Sequence, residues 1–255
     1  MKLNTVKAVI SGGVSGLGLA VARKIVAEGG QATLLDINDE AGAAAVTELG
    51  DAVSYIHTDV SDESGVQSAV ARAVERMGAV NVAVSCAGII GAGRVLGREA
   101  PMDLDFFARV IQVNLVGSFN LCKAAGAAME ANDPGEDGER GVIISTSSVA
   151  AYEGQIGQAA YSASKAGIVG MTLPIAREFT RIGVRVMTIA PGIFYTPMVD
   201  TMPEHVQESL GASIPFPSRL GKAEEFADLA AHIMENSYLN GETIRLDGAV
   251  RLQPR

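Results

Sequence analysis

Tryptophan is absent from the 255-residue chain, and aromatic residues make up only 5% of it. The core must therefore come from Ala, Val, Ile, Leu and Met, which the 48% hydrophobic content supplies without strain on composition. Histidines number three and cysteines two, with no His/Cys pairing at ligand spacing, so no structural metal site is expected. Cys86 and Cys122 each stand among apolar neighbours and read as buried, reduced thiols, which fits a reducing compartment. Lys and Arg total 20 against 29 Asp and Glu, a net charge of −9, and no basic stripe offsets it. A nucleic-acid partner is accordingly not expected. No apolar stretch reaches the roughly 18 uninterrupted residues of a membrane span. The first strand-like run begins at about Val6, which leaves no room for a leader. The expectation is a soluble cytoplasmic protein with no membrane partner.

What is present is a regular alternation of short β-branched runs and helical patterns. Strands are expected at 6–11, 31–36, 53–58, 80–85, 141–146, 184–190 and 242–246. Helices are expected at 17–28, 40–49, 64–77, 104–129, 161–181 and 224–234. The strands are near-continuous apolar runs, which indicates burial on both faces and hence a parallel sheet covered by helices. The polar stretch Asn132 to Arg140 reads as a surface loop, and no composition break marks a second domain. The expected fold class is α/β, a doubly wound parallel sheet of the Rossmann type, as a single domain over residues 1–255.

Strand one runs into Ser11-Gly12-Gly13-Val14-Ser15-Gly16-Leu17-Gly18, which then opens a helix. Glycines at 12, 16 and 18 permit a tight turn and close backbone approach to a pyrophosphate, with helix amides aimed at its charge. Asp36 ends strand two, where a carboxylate would accept hydrogen bonds from ribose hydroxyls and repel a 2′-phosphate; capping a local turn is the alternative reading. No Arg or Lys stands beside it, so NAD is favoured over NADP. Tyr161 and Lys165, four apart, share one helix face. Ser148 follows strand five at the carboxyl edge of the sheet, and Asn114 lies in the long helix before that strand. A hydroxyl, a phenol, an amine and an amide can thus converge on one ligand.

In combination, Gly12-x3-Gly16-x-Gly18, Asn114, Ser148, Tyr161-x3-Lys165 and Pro191-Gly192-x3-Thr196 resemble the short-chain dehydrogenase/reductase family over essentially the whole chain. The resemblance implies that Tyr161 exchanges the proton with the substrate oxygen. A free phenol, at a pKa of about 10, is too weak an acid for this at neutral pH, and Lys165 together with the nicotinamide charge would lower it. Lys165 would also bind the nicotinamide ribose, Ser148 would fix the substrate oxygen, and Asn114 would hold a water of the proton relay. Ser15 and Leu17 would contact the phosphates, Asp59 and Val60 the adenine, and Phe194 and Thr196 the nicotinamide. The family's usual Asn-Asn-Ala-Gly appears here as Ser85-Cys86-Ala87-Gly88. Ala87 and Gly88 still permit close backbone approach, so the adenosine-side ribose contact is expected to survive, and Cys86 reads as a packed neighbour of the cofactor and not a nucleophile.

Residues 148–161 (SVAAYEGQIGQAAY), 215–221 (PFPSRLG) and 239–249 (LNGETIRLDGA) are similar to the family's branch that oxidises 3-hydroxyacyl-CoA in fatty-acid metabolism and also accepts hydroxysteroids. The family is usually tetrameric, which implies a homotetramer. Between Phe194 and Leu220, the residues Met198, Met202, Leu210, Ile214 and Phe216 read either as a lid over an apolar ligand or as core. Arg94 and Arg98 read as CoA phosphate contacts or as solvated loop residues. Two rivals remain: a 3-oxoacyl-carrier-protein reductase, which would prefer NADP, and a non-catalytic nucleotide-binding scaffold, which would commonly lack the tyrosine or lysine.

Overall fold

The computed structural model describes residues 1–98, 100–195 and 203–254. Among them, seven strands form one parallel sheet: β1 (Lys7–Ser11), β2 (Gln31–Asp36), β3 (Val53–His57), β4 (Val82–Ser85), β5 (Gly141–Thr146), β6 (Val184–Pro191) and β7 (Thr243–Leu246). Their order is β3-β2-β1-β4-β5-β6-β7. The helices are α1 (Gly16–Ala27), α2 (Asp39–Leu49), α3 (Glu63–Met77), α4 (Leu104–Ile111), α5 (Gly117–Glu130), α6 (Ala159–Phe179), α7 (Glu204–Ala212) and α8 (Ala223–Glu235).

The apolar runs are continuous because alternate residues serve two cores. Ile10, Val84, Ile144 and Ile189 face a cluster shared with α1 and α8, whereas Val9, Ala83, Ile143 and Val186 face one shared with α3 and α5. Polar punctuation sets the helix ends. Asn38, Asp62 and Asp103 accept backbone hydrogen bonds from Ala41, Ser64 and Asp105 at 3.0 Å, and so cap α2, α3 and α4. Gly78, at φ +76, lets α3 terminate in the left-handed conformation.

Three expectations are refined. The helix expected at 104–129 runs unbroken from Leu104 to Glu130 and contains a π-helical turn, Gln112–Val116, that carries Asn114. The segment after Phe194 contains α7, which begins after Pro203 and was not expected from the pattern. The loop ending at Arg140 is not wholly superficial. Its Glu139 meets the guanidinium of Arg185, which is only 6% exposed and also donates to the carbonyls of Ile233, Met234 and Leu239. A buried cation requires that degree of partnering. No helix among the described residues is long and apolar enough to cross a membrane.

Strand order reverses at β1, which pairs with β2 on one side and β4 on the other; Ser11 is in register with both Leu35 and Ser85. The loops leaving the carboxyl ends of β1 and β4 therefore part in opposite directions and open a crevice.

Candidate active site

The floor of that crevice is backbone. Gly12 N donates to Leu35 O and Cys86 N to Ser11 O, both at 2.9 Å. A Cβ on Gly12 would stand 2.6 Å from Ala87 N, and one on Gly18 would stand 2.3 Å from Gly12 O. Only glycine allows the β1–α1 turn to lie this close to the end of β4 and to itself. Ser15 precedes α1 without making a side-chain cap, and the first turn of α1 holds no acidic residue. The leading amides of α1 are thus left to an anion, and the glycine cradle gives a phosphate room to reach them.

A cleft of about 1220 Å³ runs from this turn past Asp36, Asp59 and Val60, and then past Ser148, Tyr161, Lys165 and Pro191. The structure brings together along it Gly12, Ser15, Gly16, Leu17, Gly18, Cys86, Ala87, Gly88, Gly192 and Phe194 as well. Asn114 stands behind the wall, Arg94 and Arg98 are exposed and do not line the cleft, and Thr196, Met198 and Met202 lie outside the described residues. Asp36 has both of its expected characters: it lines the cleft while its Oδ1 accepts from Asn38 N at 3.1 Å.

At the opposite end, Ser148 begins the turn after β5, and its hydroxyl accepts from Ala150 N at 3.1 Å. Tyr161 and Lys165 share the first two turns of α6. Lys165, 5% exposed, donates from Nζ to Thr146 O at 2.8 Å and stands 5.7 Å from the Tyr161 ring centre. Burial pulls its pKa down to about 8, against a smaller raising by the Cys86 sulfur. Burial also raises the pKa of Tyr161, against a smaller lowering by the Ser148 hydroxyl. In the protein alone burial is the larger cause at the phenol, whereas the expected lowering was assigned to Lys165 together with the nicotinamide charge. The Cys86 thiol lies 3.4 Å from Thr146 Oγ1 and is pushed up to about 11 by burial, so it is not a thiolate at neutral pH.

Asn114 is fully buried. Its Nδ2 donates to Ile89 O at 3.0 Å and Ser164 Oγ at 3.1 Å, and its Oδ1 accepts from Ile89 N at 2.8 Å. Both amide hydrogens are taken by protein, which leaves only Oδ1 with spare capacity. A Cβ on Gly88 would be 3.2 Å from that oxygen and 3.7 Å from Lys165 Nζ. The glycine thus keeps a gap between the amide and the ammonium.

Arg109, Gln112 and Val113 from the α4 region and Leu252 beyond β7 line the cleft without belonging to any motif, and Gln155 and Gln158 line it from within the 148–161 stretch. Of these, Arg109, Gln112 and Val113 share one helix face at i, i+3 and i+4, but no motif residue lies on that face to indicate it, and nothing local indicates Leu252. Of the expected apolar lid, Leu210 on α7 lines the cleft, Ile214 is 3% exposed in the interior, and Phe216 is 83% exposed.

A sequence profile described as short chain dehydrogenase matches residues 6–207. The chain is 53% identical to 3-hydroxyacyl-CoA dehydrogenase type-2 of Homo sapiens and 52% identical to that of Bos taurus; each match spans 249 residues, 97% of this chain and 95% of the relative. The crystal structure of 3-hydroxyacyl-CoA dehydrogenase type-2 from Mycobacterium avium superposes with a TM-score of 0.94 at 42% identity, covering 97% of this chain and 96% of that one.

Proposed function

The chain belongs to the short-chain dehydrogenase family, and from that premise we propose that it interconverts 3-hydroxyacyl-CoA and 3-oxoacyl-CoA with NAD. It is an oxidoreductase of the nicotinamide-dependent kind. A nicotinamide held along the cleft would supply the hydride chemistry at the substrate carbon. The chain's own groups handle the proton and the geometry. In oxidation Tyr161 Oη takes the proton of the substrate hydroxyl, and in reduction it returns a proton to the carbonyl oxygen. Ser148 Oγ fixes that oxygen beside the phenol. Lys165 supplies a cation at the phenol and a donor for the nicotinamide ribose, and Asn114 Oδ1 faces it across Gly88 to hold a relay water. The amides and glycines at 12–18 receive the pyrophosphate, Asp59 and Val60 flank the adenine, Ala87 and Gly88 approach the adenosine-side ribose, and Pro191, Gly192, Phe194 and Thr196 complete the nicotinamide side.

NAD, and not NADP, is supported by Asp36, whose carboxylate lines the cleft with no Arg or Lys in 35–38. The substrate is supported by the name shared by relatives about half identical along 97% of the chain. That substrate places the reaction in fatty-acid metabolism. Leu104, Phe119 and Leu173, exposed on α4, α5 and α6, offer apolar surface for assembly into a homotetramer. The deciding experiment is reduction of acetoacetyl-CoA by NADH and by NADPH. A kcat/KM of at least about 10⁴ M⁻¹s⁻¹ with NADH is expected, the lower end for a natural substrate. Poor turnover beside efficient reduction of a ketosteroid would move the protein to another branch of the family, and equal use of NADPH would remove the role given to Asp36.

A further inference from the structure

Leu252 reaches the cleft from beyond β7, and the segment that carries it is fastened to the loop leading into α6. Ile156 N donates to Pro254 O, and Gln155 Nε2 donates to Gln253 O, each at 3.0 Å. Behind these bonds Arg245 donates to both carboxylate oxygens of Glu153, at 2.7 and 2.8 Å, to Asp247 Oδ2 at 2.7 Å and to Val250 O at 3.2 Å. Val250 is 2% exposed and plugs the segment into the interior. The partner loop is itself part of the wall, since Gln155 and Gln158 line the cleft. Gln158 O accepts from Ser162 N at 2.7 Å, one residue beyond Tyr161. The segment is therefore tied on two sides at the end of the cleft where the phenol lies, and its one large apolar side chain there is Leu252.

We infer that residues 250–254 build the substrate end of the site and that Leu252 is a specificity-determining wall for the apolar chain carried by the reacting carbon. The inference rests on the dehydrogenase reading of the cleft but not on the thioester. Leu210 from α7 and Ile193 after β6 also line the cleft with apolar surface. Asp36 and Asp59 belong to its other end, so an alkyl substituent finds unlike environments in the two directions. The two bonds to residues 155 and 156 tie the segment that carries Leu252 to the loop leading to Tyr161. A chain of given length then either fills the space in front of it or collides with it. One methylene too many or too few in an apolar pocket is worth about 10–200-fold in discrimination.

The test is the ratio of kcat/KM for 3-oxooctanoyl-CoA to that for acetoacetyl-CoA, with NADH, in wild type, Leu252→Ala and Leu252→Phe. The alanine variant should raise the ratio about tenfold and the phenylalanine variant should lower it about tenfold, while the NADH Kd of both stays within about twofold of wild type. A ratio unchanged in both variants, or an NADH Kd that moves with it, overturns the inference. Wild type that ignores both thioesters yet reduces 2-butanone and 2-octanone would fail the thioester reading alone. The same ratio, with the same expected directions, is then read on the two ketones.

Discussion

The two ends of the cleft treat charge in opposite ways. At the β1–β3 end the carboxylates sit at the edge of water and are tied to neighbouring backbone amides: Asp36 to Asn38, and Asp59 to Ser61 at 2.9 Å. At the β5–β6 end an ammonium, a phenol and a thiol have been drawn inside, and burial is the largest cause of the shift in each. Charge left at the surface costs little and selects among ligands by attraction or repulsion. Charge withheld from water makes each proton position expensive, which is the condition under which a proton is ready to move. The same sheet edge thus holds a recognition end and a reaction end.

The sharpest way to break this contrast is at the reaction end. Tyr161→Phe should lower kcat by about 10²–10⁴-fold, the usual worth of general acid–base catalysis, with an NADH Kd close to wild type because the ring still packs. Turnover within a few-fold of wild type would assign the proton to another group. At the recognition end the effect should be smaller and of another kind. Asp36→Ala should shift the NADP-to-NAD ratio of kcat/KM by about tenfold toward NADP, the size of one lost charge-assisted hydrogen bond and one relieved repulsion. Unaltered preference would show that selection lies elsewhere.

The remaining expected effect is thermodynamic and tests whether burial is what distinguishes the reaction end. Lys165 has a folded value of about 8 against an ordinary 10.5, so between those values the unfolded chain binds a proton that the folded chain does not. Stability of the cofactor-free protein should therefore rise with pH across that window and be lowest below it. Lys165→Met should be inactive yet more stable than wild type at pH 7, by on the order of 1–3 kcal/mol, and the difference should vanish above pH 10.5. Urea unfolding at both pH values measures this. An equal difference at the two would trace it to packing.

The contrast also marks what could be read from the chain alone. The strand–helix alternation and the Gly12–Gly18 turn were legible because they obey local rules: apolar runs, helix period, turn chemistry. Tyr161, Lys165 and Ser148 were legible through their spacing. The reaction end's rim was not. Leu252 is an ordinary leucine until the carbonyls of Gln253 and Pro254 meet a loop some hundred positions earlier in the chain. Helix α7 escaped because EHVQESLGA has little apolar periodicity, and its position depends on Leu210 and Gly211 meeting the rest of the fold. Arg94 and Arg98 read either as phosphate contacts or as solvated loop residues, and the fold exposes both, while Arg109 lines the cleft.

The π turn at Gln112–Val116 acts as a phase shifter within one continuous rod. Each residue of a regular helix advances the side-chain direction by about 100°, and one extra residue per turn offsets everything beyond it by about that angle. Upstream, Ala108 and Arg109 are turned to the cleft; downstream, Leu121, Ala125 and Met129 are turned to the core against β4 and β5. A straight helix could satisfy one of those alignments only. Deleting a single residue from this turn would put the two halves back in step, and either the cleft wall or the core stripe would face the wrong way.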